Sequence, residues 1–497
     1  MIKAGAETNT RVFTPQKIVK EMLDALPPEV WNSKTTFLDP AVKSGVYLVE
    51  IYNRLMETPE LIKDFPDEQD RAKHIYKNQL FGIAIDNFCC LMAQRNLYGH
   101  IGGESNIRFI DGYMSKVKDK DSKRYIDAVK KEFNNMKFDV VIGNPPYQDE
   151  ESRGSIGSGN SIYPFFMQKA IDLSDRYTSL IVPSGWMLQY PSGTKHDLID
   201  NIRKSSKFIE IHDFKNSQEV FDNVSIPNGV CYYLTNKDDE SGLTDYYIHQ
   251  NNESELLPKI KLYNQELGVI FRDKAIISIV EKINNIHGEE KRFNEVCAGA
   301  KHHFDVGEIM ESNWNEYSSI KIDDFNIMYF LKSNNKVHKY SCTECPKASI
   351  PNLGYGWVSK EQIPKNDADY ARHKIIVGQA FTAGSPQVMD VPQYVGNNSV
   401  CSHSYVPIFS PNDSEEECLN ICKYIKTKFF RYLVNCMKTG QNLGNRTYSL
   451  VPMQNFKDVS DIDWSKSIAE IDQQLYKKYK LTQEEIDYIE KTIKPMT

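Results

Sequence analysis

The run Phe138–Gly143, FDVVIG, is apolar and β-branched, and it stops at Asn144-Pro145-Pro146-Tyr147. Such a run followed at once by Asn-Pro-Pro-aromatic places one rigid polar hook at the carboxyl end of a strand. The two prolines lock the turn and remove two backbone N–H groups, so carbonyl oxygens are the local hydrogen-bonding groups. An exocyclic NH₂ on a planar ring suits this hook. The Asn144 side-chain oxygen and the Pro145 carbonyl can each accept one N–H, while the Tyr147 ring stacks on the base. Those two bonds would draw the amine lone pair out of conjugation and aim it at an electrophilic methyl. The residues therefore suggest amine methylation of a nucleobase. An isolated match also reads as a plain strand-terminating turn, so the rest of the chain has to decide.

At 497 residues the chain has length for two or three domains. No apolar run approaches the length of a membrane span, and the start MIKAGAETNTR lacks a signal-peptide core. No membrane association is expected, and a cytoplasmic location is the default. Ten cysteines in a chain of this length do not form a disulfide framework. Cys342-Thr-Glu-Cys345 has no second Cys or His pair at ligand spacing, so free thiols and no metal are expected. Cys89-Cys90 sits in an apolar helical pattern and reads as core. The net charge of −7 argues against indiscriminate coating of nucleic acid, yet leaves room for a local basic cleft.

Upstream of the hook, strand-like runs alternate with helical ones. Thr14–Leu26 reads as an amphipathic helix with Thr14 as N-cap and Pro15 in its first turn. Strand Thr35–Leu38 breaks at Asp39-Pro40 and leads into helix Ser44–Met56. Strand Gln79–Asp86 leads into helix Phe88–Tyr98, and strand Asn106–Ile110 ends at Asp111. Lys116–Lys137 reads as a lysine-rich helical insertion. This alternation implies an α/β fold with a parallel, doubly wound sheet. Ligands of such sheets sit at the carboxyl ends of the strands, where Asp39, Asp86, Asp111 and Asn144 all fall. Gln148–Ser161 is a Gly/Ser-rich loop, a surface linker or a flap. Helix Tyr163–Leu173, strand Thr178–Pro183 and strand Gly229–Leu234 continue the pattern.

Taken in order, FTP (Phe13–Pro15), DPAVKSG (Asp39–Gly45), GIAID (Gly82–Asp86), FIDG (Phe109–Gly112) and GNPPY (Gly143–Tyr147) resemble the gamma-class adenine-N6 DNA methyltransferases of restriction–modification systems. The resemblance covers roughly the first half of the chain. It implies a methyltransferase sheet that binds S-adenosyl-L-methionine. Thr14 and Pro15, with the loop Pro40, Ala41, Ser44 and Gly45, would hold the methionine end, and Asp39 would lie near the cofactor's amino group. Asp111 would meet the cofactor adenine. Asn144, Pro145, Pro146 and Tyr147 would grip a flipped-out target adenine. An aromatic clamp on the base's other face is implied in Glu219–Asn228, which nominates Phe221. Two positions depart from the family. Lys43 stands where the loop usually has glycine. Ala84 stands where an acidic residue holds the ribose hydroxyls, and Asp86 is the candidate substitute.

Beyond residue 240 the rhythm changes to short strands, loops and a late helix, Thr427–Val434, whose Phe429, Phe430 and Leu433 read mostly as core. The last helix opens with a capping box at Thr482 and Glu485. The predicted division is a catalytic domain over 1–240 and a mixed α+β target-recognition domain over 241–497. Lys438–Tyr448, KTGQNLGNRTY, brings together Lys438, Gln441, Asn442 and Arg446, types that read base edges. A solvated polar loop is the alternative for this stretch, and Gly378–Gln387 is a second flexible polar loop. Glu289-Glu-Lys291 formally matches a nuclease triplet but has no convincing partner Asp. The chain also begins close ahead of Thr14-Pro15, so no nuclease of its own is expected. The expected function is a site-specific DNA adenine-N6 methyltransferase acting on double-stranded DNA, with a separate restriction endonuclease as a candidate partner. The alternatives are an RNA or protein-glutamine methyltransferase and a catalytically weak DNA-binding subunit.

Overall fold

The computed structural model describes residues 12–99, 105–119, 122–149, 160–205, 207–222, 224–265, 267–288, 291–298, 303–304, 326–332, 338–339, 353–381, 387–438 and 443–496. The chain divides into two compact units, Met1–Arg272 and Asp273–Thr497.

The first unit is built on nine strands: β1 (Phe37–Val42), β2 (Leu80–Ala84), β3 (Ile107–Phe109), β4 (Phe138–Gly143), β5 (Ser174–Pro183), β6 (Phe208–Phe214), β7 (Val230–Asn236), β8 (Thr244–Gln250) and β9 (Glu253–Ile260). Their order across the sheet is β3-β2-β1-β4-β5-β7-β6-β8-β9. The five strands from β3 to β5 pair in parallel. β7 then enters antiparallel to both β5 and β6. The expected doubly wound sheet is present, and it continues into a mixed half.

β1, β2 and most of β4 are buried along their whole length, as continuous apolar runs in a parallel sheet must be. The strand order reverses between β1 and β4, which lie side by side in parallel with helices following each. This makes their carboxyl ends the crevice where such sheets bind ligands. Helix α1 (Gln16–Asp24) precedes β1 and helix α2 (Val46–Met56) follows it. Gly45 caps α2 at φ +80°, and a Cβ there would sit 3.2 Å from the Ala93 Cβ. Only glycine gives both the left-handed turn and the close approach of helix Asn87–Tyr98.

Three expectations are revised. The first compact unit runs to Arg272, beyond the expected boundary at residue 240, because β8 pairs with β6 and β9 with β8, extending the same sheet. Thr14 does not cap α1: the N-cap is Pro15, and no side chain caps the helix. The lysine-rich insertion forms two helices, Tyr113–Lys118 and Ser122–Glu132.

A charge network lies inside the mixed half. Asp213 on β6 is fully buried and accepts bonds from Ser184 Oγ at 2.8 Å, Tyr246 OH at 2.9 Å, Arg272 Nε at 2.8 Å and Arg272 Nη2 at 2.6 Å. Lys215 Nζ lies 3.1 Å from the same carboxylate. Burial alone would raise this carboxyl, but the charges of Arg272 and Lys215 override it and hold Asp213 well below the usual range.

The second unit has a four-stranded sheet, a three-stranded sheet and helices including Lys274–His287, Glu415–Lys426, Lys428–Met437, Ile468–Lys478 and Gln483–Thr492. Phe429, Phe430 and Leu433 are buried, and the Phe429 ring stacks on Tyr479 at 5.2 Å. The Thr482–Glu485 capping box forms as its spacing requires.

Candidate active site

The site begins with a glycine. A Cβ on Gly143 would lie 2.6 Å from the Asp39 Oδ1, so the end of β4 can pass the end of β1 only with no side chain there. That close approach sets Asn144 beside the β1 loop. A narrow cleft there is lined by Phe13, Thr14, Asp39, Ala41, Lys43, Ser44, Gly45, Val46, Tyr47 and Asn144. Five of the sequence-nominated cofactor residues, Thr14, Asp39, Ala41, Ser44 and Gly45, thus share one cavity with the hook. Its free volume is about 10 Å³, room for about one water, so a larger ligand enters only when a lining side chain moves.

Asn144 is 4% exposed. Its Nδ2 donates to the Val12 carbonyl at 3.2 Å and to Thr14 Oγ1 at 3.0 Å. A backbone carbonyl can only accept, so this contact fixes which way the amide points. The Asn144 Oδ1 is then left buried, with no hydrogen-bond partner among the described residues. A buried acceptor left this way costs free energy, and it is aimed from the element that lines the cleft. Tyr47 OH also bonds Thr14 Oγ1, at 3.3 Å. Thr14 is therefore the hub of the hook.

Asp39 is 3% exposed and accepts from the Ala41 amide at 2.9 Å. Burial pushes its carboxyl up to about 7, against the opposing effects of the Ala41 N–H and the Lys43 charge. Pro40 turns its carbonyl to Tyr113 OH at 2.8 Å and does not line the cleft. Lys43 reaches inward, and its Nζ donates to the Val12 carbonyl at 2.9 Å. Lys43, Tyr47 and Val12 are participants that sequence reasoning did not nominate.

The remaining nominees fall elsewhere. Asp86 caps helix Asn87–Tyr98 by accepting from the Cys89 amide at 2.7 Å, and Ala84 is fully buried. Asp111 is exposed at the end of β3. Near these strand ends two rings stand in solvent, Phe88 at 64% and Phe109 at 43% exposure; the signal in the sequence was an apolar residue just past a strand's carboxyl end. Tyr147 and Phe221 are both buried, and no ring contact joins them among the described residues. The Tyr147 ring meets Tyr163 edge-on at 6.5 Å, and its buried hydroxyl has no partner among the described residues.

In the second unit, Gln441 and Asn442 lie outside the described residues, as do Glu289 and the Cys342–Cys345 pair. Lys438 Nζ donates to the Val388 carbonyl at 2.7 Å and lies 5.3 Å from the centre of the Phe381 ring. Arg446 is half-buried in the short helix Asn445–Tyr448. No group of three His, Cys, Asp or Glu among the described residues could hold a metal ion. No helix among them is long and apolar enough to cross a membrane.

Residues 78–221 match the family model of the Eco57I restriction-modification methylases. That span runs from just before β2, through Asn144, to Phe221. A Mycoplasma pneumoniae protein described as an uncharacterized adenine-specific methylase is 29% identical over 350 residues, covering 57% of this chain and 82% of its own. Among solved structures, the ATP-dependent Type ISP restriction-modification enzyme LlaBIII bound to DNA superposes with a TM-score of 0.50 at 12% identity, over 87% of this chain and 37% of that one. The methyltransferase subunit of a type I restriction-modification system from Streptococcus thermophilus gives 0.33 at 14% identity, over 49% of this chain and 50% of its own. The chain thus spans half or less of these two solved proteins, and the first likeness shows a shared fold. The span matched by the family model lies within the first compact unit.

Proposed function

We propose that the protein is a site-specific DNA adenine-N6 methyltransferase that uses S-adenosyl-L-methionine and works within a restriction–modification system. The observation that carries this reading is the Asn144 amide, clamped through Nδ2 with its Oδ1 buried and without a hydrogen-bond partner among the described residues, beside the Asp39 cleft. The Mycoplasma relative and the family match support the adenine and restriction–modification parts of the reading.

The residues present fit such a cofactor. Asp39 offers a buried carboxylate for its ammonium group, and the uncapped N-terminus of α2 offers backbone amides for its carboxylate. Asp111, Phe88 and Phe109 stand at neighbouring strand ends, where an adenosine end would lie. When bound, the cofactor supplies an electrophilic methyl group. The protein's own part is at the nucleophile. Asn144 Oδ1 accepts a hydrogen bond from one N6 N–H, and the Pro145 carbonyl, which takes no bond from any described residue, accepts one from the other. These two bonds orient the amine lone pair away from the ring. A target base within a duplex cannot reach this hook, so it must first be extruded. Tyr147 stacks on one face of it, with Phe221 as the candidate for the other once the buried rings open. The second unit, with Arg446 among its readers, selects the sequence. A separate restriction endonuclease is the candidate partner.

The test is transfer of labelled methyl from S-adenosyl-L-methionine to duplex DNA, followed by mapping of modified adenines. Wild type should label adenines in one sequence context, and Asn144→Ala should not label DNA. Labelling of RNA or protein in place of DNA would overturn the reading.

A further inference from the structure

Lys43 is a buried cation that the strand ends do not satisfy. It is 8% exposed, and its Nζ makes one hydrogen bond among the described residues, to the Val12 carbonyl at 2.9 Å. No carboxylate among them lies within ion-pair distance of it. An ammonium carries three donors, so two are unused in a place with little water to take them. The protein contains an internal comparison. Lys374 is fully buried in the second unit, and its Nζ reaches Tyr370 O at 3.0 Å, Ser399 O at 3.0 Å and Ser399 Oγ at 3.2 Å. Among the described residues Lys374 is satisfied and Lys43 is not.

Its surroundings say what would satisfy it. Lys43 lines the cleft with Asp39, Asn144 and the first residues of α2. That helix has Gly45 as N-cap and no side chain on its first amides. Helix N-termini and ammonium groups both favour an anion. Across the same cleft, Asp39 is a buried carboxylate that favours a cation. The cleft therefore presents one buried charge of each sign, on residues four apart at the end of β1 and the start of the loop.

We propose that Lys43 is a cofactor-binding residue whose free N–H groups take the α-carboxylate of the methionine moiety, while Asp39 takes its α-ammonium. The pair reads an amino-acid zwitterion. This rests on the cofactor reading proposed above and adds a residue to it at a position where a glycine could make no such contact. It also gives the loop a reason to tolerate a buried charge whose ionised form is disfavoured by burial, which lowers Lys43 to about 8 in the free protein. Opening is still required, because the cleft is narrow and the Lys43 stem lines it.

The experiment is calorimetric binding to the full chain of two ligands, S-adenosyl-L-methionine and its decarboxylated analogue, which keeps the sulfonium and amine but lacks the carboxylate. Wild type should prefer the intact cofactor at least tenfold. Lys43→Met, of similar length and uncharged, should lose most of that preference by weakening the intact cofactor while leaving the analogue's affinity unchanged. Lys43→Arg keeps the charge and should keep the preference. Thermal melting without ligand should show Lys43→Met folded and no less stable than wild type, since it removes an under-satisfied buried charge. Retained preference in Lys43→Met overturns the assignment. Tighter binding of both ligands by Lys43→Met also overturns it, because the side chain would then be an obstacle. If wild type binds neither ligand, the cofactor reading itself fails; if it binds both equally, only the Lys43 assignment fails.

Discussion

Thr14 Oγ1 lies 3.0 Å from Asn144 Nδ2 across 130 residues of sequence, and it joins the Val12 carbonyl, an obligate acceptor, in leaving Oδ1 as the atom of Asn144 available for chemistry. With Nδ2 held by two acceptors, the Oδ1 must face away from them, as a target amine requires.

Removing the hydroxyl should therefore impair catalysis without touching the base-binding atom. Thr14→Val leaves one of the two clamps and should lower kcat by roughly tenfold, the worth of one hydrogen bond of about 1–1.5 kcal/mol. Thr14→Ser should restore most of it. Single-turnover methylation of duplex DNA measures the effect. A Thr14→Val enzyme as fast as wild type would show that Val12 alone orients the amide.

Asp39 gives a pH dependence with a definite sign. Its carboxyl is pushed up to about 7 by burial, so below that pH it is increasingly neutral and loses its attraction for the cofactor ammonium. Affinity for S-adenosyl-L-methionine should fall as pH drops from 8 to 6. Asp39→Asn should bind more weakly by about 1.5–3 kcal/mol and lose this dependence. Stability runs the other way. A carboxyl raised in the folded state holds its proton more tightly than the unfolded chain does, so free-protein stability declines as pH rises from the usual carboxylate range to about 7. Asp39→Asn should therefore melt higher than wild type at pH 8. Titration calorimetry and melting curves check both halves.

The Asp213–Arg272 pair concerns folding rather than chemistry. Arg272→Met leaves Asp213 fully buried with its main counter-charge gone, which should destabilise the first unit by about 3–5 kcal/mol. The carboxyl is held below its usual range despite burial. Its contribution is thus present above the unfolded carboxylate pKa and lost as pH falls through the lower folded one. Urea unfolding at neutral pH should show the loss in Arg272→Met. The double variant Arg272→Met with Asp213→Asn should recover part of it, because the uncompensated charge is removed. Equal stability of wild type and Arg272→Met would mean that Lys215 alone suffices.

Local pattern made Asp39, Ala41, Ser44, Gly45 and Asn144 legible, because an apolar run and a small-residue loop are visible within a few positions of each, although β1 runs on through Asp39 and Ala41 to Val42 rather than stopping at Leu38. Thr14 was nominated as a cofactor residue but also read as a helix cap. Thr-Pro before an amphipathic run has that local signature, and nothing nearby reveals a partner 130 residues away. Lys43 was read only as a departure standing where the loop usually has glycine, because its bond to the Val12 carbonyl, 31 positions away, is not visible in local spacing. The first unit's end was placed too early because β8 and β9 carry mostly exposed or half-exposed residues and resemble the start of a new domain. The pairing of β8 with β6 and of β9 with β8 is a property of the folded sheet. Asp213 and Arg272, 59 positions apart, carry no motif at all.

Sequence selection should depend on the second unit, and there the two basic nominees should behave differently. Lys438 directs its ammonium to the Val388 carbonyl and lies against the Phe381 ring, and burial lowers it to about 8. A cation held this way ties down its own loop and is poorly placed to neutralise a phosphate. Lys438→Met should lower the melting temperature of the second unit and leave the salt dependence of DNA binding unchanged, whereas a phosphate contact would flatten it. Arg446 is half-buried on a short helix, and a bidentate contact from it to a base should discriminate by about 1–3 kcal/mol. Methylation of a randomised duplex pool by Arg446→Ala should relax one position of the preferred site, with cofactor affinity intact. An unchanged motif in that pool would move base reading to other residues of the unit.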